Sequence, residues 1–302
     1  MVYILYKSLI EKPLLKTNFP FTFSENVWAE DEFFFEADLL LGLDFFIKKD
    51  YINAERYFER LNKISRYNFF FEDFIGNVLI AWSKASQGNK EDSFKFLEKV
   101  PRTYRHIKNT QNSFLKCYFD ASDTQKFFEE IIQDEDYNFS RYNFFLINYF
   151  LFKNKITDAK RIIKNSREKY NSNLLIKETE NFFLNNQNEK IKSFFNCQNP
   201  KDSLAEFFYI IANLYSSEKN YQLSNFYLKI SLFLNNKFLT NTALLAENFY
   251  YQKKFKLSQN IYESLKSAGP AHSWYAAKNI ASILLVEKGK KYSVSSLEKE
   301  FN

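Results

Sequence analysis

Large apolar residues recur every three or four positions along most of the chain, a spacing that places them on one side of an α-helix. The clearest stretch is Phe208-x-x-Ile211-Ala212-x-x-Tyr215, which is followed by Tyr221-x-x-Ser224-x-x-x-Leu228. Short polar segments such as Lys48-Lys49-Asp50 and Glu218-Lys219-Asn220 separate these stretches. Polar turns of this length are typical of antiparallel helix hairpins. The pattern therefore predicts an all-α chain of paired helices.

The clearest stretch repeats at an offset of 34 residues. It reappears as Thr242-x-x-Leu245-Ala246-x-x-Phe249 followed by Phe255-x-x-Ser258-x-x-x-Tyr262, and a third start lies in 276–283. Weaker copies place a small residue of the second helix at Ala54, Ser93 and Ala159. Two gaps between copies, around 113–131 and 174–195, are long enough for one degenerate helix pair each.

The repeat resembles the tetratricopeptide (TPR) repeat, in which Ala212 and Ala246 would stand where two helices cross closely. Ser224 and Ser258 replace the usual alanine of the second helix. Over about 80 residues, through Gly269-Pro270-x-x-Ser273-Trp274-x-Ala276, the chain resembles a bacterial family of long, mostly uncharacterised TPR proteins. The resemblance implies a right-handed α-solenoid of about eight stacked antiparallel helix pairs and a role in interaction.

The same pattern divides the chain into segments. We expect a lead-in at 1–30, degenerate TPR-like repeats at 31–185, an Asn- and Lys-rich loop at 186–202, the best-matching repeats at 203–286 and a C-terminal capping segment at 287–302. No linker separates these segments, so 31–302 is expected to be one continuous solenoid.

Composition narrows the fold further. The 302 residues include only 5 Gly and 5 Pro, where average usage predicts about 36 of the two together. This scarcity argues against a β-sandwich or barrel, whose hairpins need such residues, and against a glycine-rich phosphate loop. The 36 Phe and 20 Tyr have AT-rich codons, so their number alone does not indicate a stacking surface.

The charge, the cysteines and the lack of a membrane span indicate the expected partners and location of the protein. The net charge of +6 comes from lysines spread along the chain, which favours a solvated surface over a nucleic-acid or membrane footprint. Cys117 and Cys197 lie 80 positions apart and are expected to be buried free thiols. No apolar run has the length of a membrane span and no signal-peptide pattern begins the chain, so the expected location is cytoplasmic.

The sequence contains no recognisable catalytic or metal site. The two histidines, His106 and His272, lack a second ligand at metal spacing and a nucleophile motif nearby. Adjacent acids such as Glu129-Glu130 are typical of solvated helix ends. We therefore expect no enzymatic activity, cofactor or metal.

The inner face of the first helix in each pair is the predicted binding site. There, aromatic side chains supply contact area and asparagines hydrogen-bond a peptide backbone. Counting from the small-residue positions gives Arg141, Phe144, Asn148, Glu206, Tyr209, Asn213, Glu247, Tyr250 and Tyr251. Asn213 also fits the TPR pattern that clamps a C-terminal carboxylate, but Tyr209 stands where that pattern has lysine.

The expected function is a non-catalytic scaffold that binds a segment of a partner protein in this groove. Two alternatives stay open at this point. A basic α-solenoid could bind nucleic acid, which would require lysines and arginines concentrated on one face. The chain could also be the accessory or truncated half of an enzyme complex.

Overall fold

The computed structural model describes residues 35–64, 74–133, 140–169 and 173–301, so the predicted lead-in at 1–30 lies outside the described residues. Within these ranges every regular element is helical and no strand occurs. The sixteen α-helices of the described ranges are α1 (Phe35–Ile47), α2 (Tyr51–Ile64), α3 (Ile75–Ser86), α4 (Lys90–Glu98), α5 (Arg105–Tyr118), α6 (Thr124–Gln133), α7 (Ser140–Phe152), α8 (Ile156–Lys169), α9 (Leu174–Leu184), α10 (Asn188–Phe194), α11 (Pro200–Ser217), α12 (Tyr221–Leu234), α13 (Thr240–Tyr251), α14 (Phe255–Leu265), α15 (Pro270–Lys288) and α16 (Lys290–Phe301).

The helices are grouped into two compact units. Unit 1 comprises the described residues up to Phe127 together with Cys197–Leu204, and unit 2 comprises those of 128–196 and 205–301. In unit 1 each helix from α1 to α5 packs against the next, and in unit 2 the same holds from α7 to α10 and from α12 to α16. For the described residues, the prediction of an all-α chain whose consecutive helices pack on one another is confirmed.

The turns inside helix pairs share one backbone geometry. Among the described residues, seven turns contain a residue with positive φ two positions after the end of the first helix: Lys49, Gly88, Asp120, Asn154, Asn186, Lys219 and Lys253. The next residue then donates its N–H to a carbonyl five positions back, as from Asp50 to Phe45 (3.0 Å) and from Lys254 to Phe249 (2.9 Å). This hydrogen bond satisfies a carbonyl at the helix end. The same geometry therefore recurs along the chain although only one of the seven residues is glycine.

Two of these turns lie in the gaps where the sequence predicts a degenerate helix pair. Asp120 joins α5 to α6, and Asn186 joins α9 to α10. Residues 186–202, expected to form a loop, instead contain α10 and the start of α11. The reason is that Ile191 and Phe194, three positions apart on α10, are both buried among polar residues that face outward.

Small residues meet where α13 and α14 contact each other, as the repeat pattern predicts. Ala212, Ala246 and Ser258 are fully buried. The Ser258 hydroxyl donates to the Ala246 carbonyl oxygen at 2.8 Å, and this bond satisfies the polar group that serine brings into the position of an alanine. Gly42 shows the same close approach in unit 1, because a Cβ there would lie 2.4 Å from Cε1 of Phe58.

The prediction of free thiols is wrong. Cys117 and Cys197 form a disulfide within unit 1, with their Cα atoms 5.9 Å apart. The structure brings them together because Cys197–Leu204 packs in the unit that contains α5. A separation of 80 positions in the sequence carries no signal of that contact.

A carboxylate from α9 caps the first turn of α15. Glu178 is fully buried, and its Oε2 accepts hydrogen bonds from the backbone N–H groups of Ala271 (2.9 Å) and His272 (3.1 Å). The same oxygen lies 3.1 Å from Nδ1 of His272. Gly269 precedes the helix with φ 146°, and a Cβ there would lie 2.1 Å from Oε1 of Glu178. The helix therefore begins around a side chain that is distant in sequence.

Asp38 gives unit 1 a pH-dependent contribution to stability. It is buried on α1 and accepts a hydrogen bond from Nε of Arg60 on α2 at 3.1 Å. Burial raises the pKa of Asp38 from 3.8 to about 6, although the Arg60 guanidinium acts in the opposite direction. The folded protein therefore binds this proton more tightly than the unfolded chain, whose aspartates titrate near pH 4.

The stability that protonated Asp38 contributes to the folded protein is fully present below about pH 4 and is lost as the pH rises through about 6. We expect the free energy of unfolding of the wild type, relative to that of Asp38→Asn, to fall by about 1–3 kcal/mol across this window. Urea unfolding of both proteins at a series of pH values measures the difference. A difference that stays constant or rises with pH would contradict the assignment.

Candidate functional site

The nine residues of the predicted groove come from three helices of unit 2. Arg141, Phe144 and Asn148 lie on α7, the residues from Glu206 to Asn213 on α11, and those from Glu247 to Tyr251 on α13. The structure divides these nine residues into a buried set and an accessible set.

Arg141 is the centre of the buried set. Its Nε donates to both carboxylate oxygens of Glu206, at 2.7 and 2.9 Å, and its two terminal nitrogens reach Thr240 and Asn241, each at 2.8 Å. The guanidinium also stacks against the ring of Tyr209, with 3.8 Å between Cζ and the ring centroid. The bonding capacity of the guanidinium is used inside the protein.

The electrostatics of this pair keep Arg141 charged. Only 12% of its side chain is exposed, and the Glu206 side chain is fully buried. Burial is the strongest single influence on the pKa of Arg141 and acts to lower it, but the Glu206 carboxylate together with Tyr209 and Tyr142 outweighs burial, and the pKa rises above its ordinary value. In a buried ion pair each charged group depends on the other for compensation of its charge. The hydrogen bonds of this pair therefore hold both side chains and their neighbours in fixed orientations.

The other two predicted residues of α7 are also buried. Phe144 packs against Phe145, Phe194 and Phe238, with ring centroids 5.2–6.4 Å apart. Asn148 donates from Nδ2 to the Ile191 carbonyl oxygen at 3.1 Å. Because α10 packs directly on α7, these side chains serve the packing of unit 2 and offer no surface to a partner.

The accessible set lies on α11 and α13. Asn213 is exposed, Tyr209, Glu247 and Tyr250 are half-buried, and Tyr251 is 61% exposed. These side chains remain available to a partner, except that one face of the Tyr209 ring is occupied by Arg141.

Tyr250 and Tyr251 belong to an aromatic cluster of which the sequence predicts only these two as site residues. Tyr251 stacks on Tyr221 with centroids 5.6 Å apart and an interplanar angle of 13°. Tyr250 meets Tyr251 edge to face at 5.7 Å and Phe255 at 5.6 Å. We call Tyr221, Tyr250, Tyr251 and Phe255 the tyrosine cluster. Its contacts fix the rings before any partner arrives.

The sequence contains a signal for Tyr221 and Phe255, the two members of the tyrosine cluster that were not predicted as site residues. Tyr221 and Phe255 each follow a polar turn as the first residue of a second helix, and they are separated by the 34-residue offset of the repeat. The repeat pattern places both at packing positions. In the structure each ring contacts a tyrosine at the end of α13 instead of only the interior.

Glu247 adds a carboxylate to this part of unit 2. The Tyr275 hydroxyl donates to its Oε1, and the ring of Tyr262 lies 5.9 Å from that of Tyr275. Burial raises the pKa of Glu247, with the hydrogen bond from Tyr275 acting in the opposite direction. Burial and the nearby carboxylate also raise the pKa of Tyr275, so its hydroxyl stays protonated and donates.

The described residues contain neither a metal site nor a membrane span. Among them, no three His, Cys, Asp or Glu side chains come together in a way that could hold a metal ion. No helix within these ranges has both the length and the apolar character needed to cross a bilayer.

The fold and the site together define the class of the molecule as an all-α protein of consecutively packed helices, compatible with a helical-repeat protein. No protein-family model matches the chain, and no curated protein matches it.

Proposed function

We propose that the protein is a non-catalytic scaffold that binds an extended segment of a partner protein on the surface formed by Asn213, Glu247 and the tyrosine cluster. The observation that carries this proposal is the tyrosine cluster of unit 2, whose rings contact one another and whose Tyr251 is exposed. Tyrosines supply large contact area at a low cost in conformational entropy, and rings that are already fixed lose little further freedom on binding.

The proposal includes the finer repeat assignment. The recurring turn geometry and the 34-residue pattern support TPR-like antiparallel pairs, about eight in number, in a right-handed superhelix. First helices of such pairs carry the residues that face a partner, and Asn213, Glu247, Tyr250 and Tyr251 all lie on first helices of the pattern.

The chemistry of the surface favours a neutral or basic segment. The Asn213 amide can both donate to and accept from a peptide backbone. Glu247 provides an acceptor for a partner's lysine or arginine, whereas Arg141 is already paired with Glu206 and offers no free cation to a carboxylate. The surface therefore differs from one that clamps a C-terminal carboxylate.

Affinity capture with mass spectrometry, comparing the wild type with Tyr251→Ala and Asn213→Ala, tests the proposal. We expect partners captured by the wild type to be lost with Tyr251→Ala, because that change removes the most exposed ring of the cluster. Tyr209→Ala is a poorer test, since it also removes the ring that stacks on Arg141.

Tyr292→Ala serves as the matched control. Tyr292 lies on α16 and is 58% exposed, so its replacement removes a comparable ring from another helix. The control should retain the wild-type partners. Recovery of the same partners with all four proteins would remove the tyrosine cluster as the binding surface.

A further inference from the structure

Unit 2 has a second accessible surface in an open cleft between α8 and α9. The cleft has a volume of about 690 Å³, and its lining comes from α8 between Thr157 and Glu168 and from the C-terminal half of α9. Neither helix contributes to the tyrosine cluster, so the cleft is a separate candidate site.

One side of the cleft is basic. Lys160, Arg161, Lys164 and Arg167 all lie on α8 and line it, at a spacing that keeps them on one side of the helix. Arg167 is paired with Glu180 across the cleft, and Arg161 lies 3.4 Å from Asp158 on its own helix. Lys160 and Lys164 are exposed, and no carboxylate among the described residues pairs with either.

The other side of the cleft is apolar. Leu184, the last residue of α9, is 69% exposed, and Phe183 beside it is half-buried. Ile163 of α8 lines the same cleft and is nearly buried. An exposed leucine next to a partly open aromatic ring leaves apolar surface that a partner's side chain could cover.

We propose that this cleft binds an acidic protein segment that carries a large apolar side chain. The apolar side chain packs against Phe183 and Leu184, and flanking carboxylates pair with Lys160 and Lys164. Because the exposed charges of the cleft are positive, we expect the partner to be acidic. Because part of the lining is apolar, we expect the partner to be a protein segment.

A nucleic acid fits the cleft less well than a protein segment does. The most exposed apolar residue is an aliphatic leucine, which lacks the flat face on which bases stack. The inference is independent of the proposed function, because it rests on other helices.

Fluorescence anisotropy with two short synthetic peptides tests the inference. One labelled peptide contains glutamate and leucine, and the other has glutamine in place of every glutamate. We expect only the glutamate peptide to bind, with an affinity that falls as salt is added. The double variant Lys160→Glu/Lys164→Glu should weaken its binding about tenfold or more, the effect of roughly 1.4 kcal/mol.

Three further variants keep the result unambiguous. Leu184→Ser should also weaken binding, and because Leu184 is exposed this change leaves the core intact. Lys256→Glu/Lys278→Glu makes the same change in net charge at two exposed lysines of α14 and α15 and should bind like the wild type. Tyr251→Ala should also bind normally, which separates this site from the tyrosine cluster.

Several outcomes would overturn the inference. These are no binding of the glutamate peptide, equal binding of the glutamine peptide, or equal weakening in the Lys256/Lys278 control. Tighter binding of single-stranded RNA or of anionic lipid vesicles that is lost with Lys160→Glu/Lys164→Glu would assign the cleft to those ligands instead.

Discussion

Replacement of Arg141 by methionine is expected to lower the free energy of unfolding by about 3–5 kcal/mol, because it leaves the Glu206 carboxylate buried without its counter-charge. Glu206 is fully buried and receives three hydrogen bonds from the guanidinium. Thr240 and Asn241 would also lose their partner on Arg141. Urea unfolding followed by circular dichroism measures the loss, and hydrogen exchange should localise it to α7, α11 and α13.

Two comparisons separate the buried charge from lost packing. The double variant Arg141→Met/Glu206→Met removes both charges and should recover most of the stability, since replacement of a buried ion pair by apolar side chains is often close to neutral. Lys48→Met breaks the exposed pair with Asp44 and should cost no more than about 0.5 kcal/mol. A double variant as unstable as the single one would show that the charge is not the cause.

Replacement of Glu178 by alanine is expected to cost about 2–4 kcal/mol, because two backbone N–H groups at the start of α15 lose their shared acceptor. His272, which contacts the same oxygen, is 1% exposed, so water has little access to replace the carboxylate. The N-terminal end of a helix also favours a negative charge. Hydrogen exchange should show the first turn of α15 opening more often than in the wild type.

Gly269 offers an independent test of the same contact. Gly269→Ala places a Cβ against the Glu178 carboxylate and forces alanine to adopt φ 146°. Gly88→Ala is the matched control, because Gly88 also has positive φ but has no neighbouring atom within 4 Å of the added Cβ. We expect Gly269→Ala to be the more destabilising of the two, and equal effects would show that Glu178 does not constrain this position.

The helical character of the chain could be predicted because each helix carries its own signal. The apolar spacing and the polar turns are local, and the 34-residue offset extends them to the two degenerate pairs, at α5/α6 and α9/α10. The helices of the 186–202 segment could not be predicted in this way, because Ile191 and Phe194 are too few to form an apolar pattern among its polar residues.

The candidate site could be predicted only in part, because its contacts are distant in sequence. Arg141 lies 65 positions from Glu206 and 100 from Asn241, so no local pattern reveals that the arginine is buried. A polar residue on a first helix has the same spacing whether it faces solvent or a buried carboxylate. Tyr251 and Asn213, by contrast, lie near the end of their helices, and both are exposed in the structure.

The division of unit 1 between two parts of the chain has a consequence for its synthesis. The segment Cys197–Leu204 is made only after residues 128–196, although it belongs to the unit that contains α1 to α5. Unit 1 therefore lacks this segment until it leaves the ribosome. Domains generally fold as units during synthesis, and sixty-nine residues, 128–196, are translated between the two parts of unit 1. Cys117 stays without its partner for the same interval, and a nascent chain halted before Cys197 would carry it as a thiol.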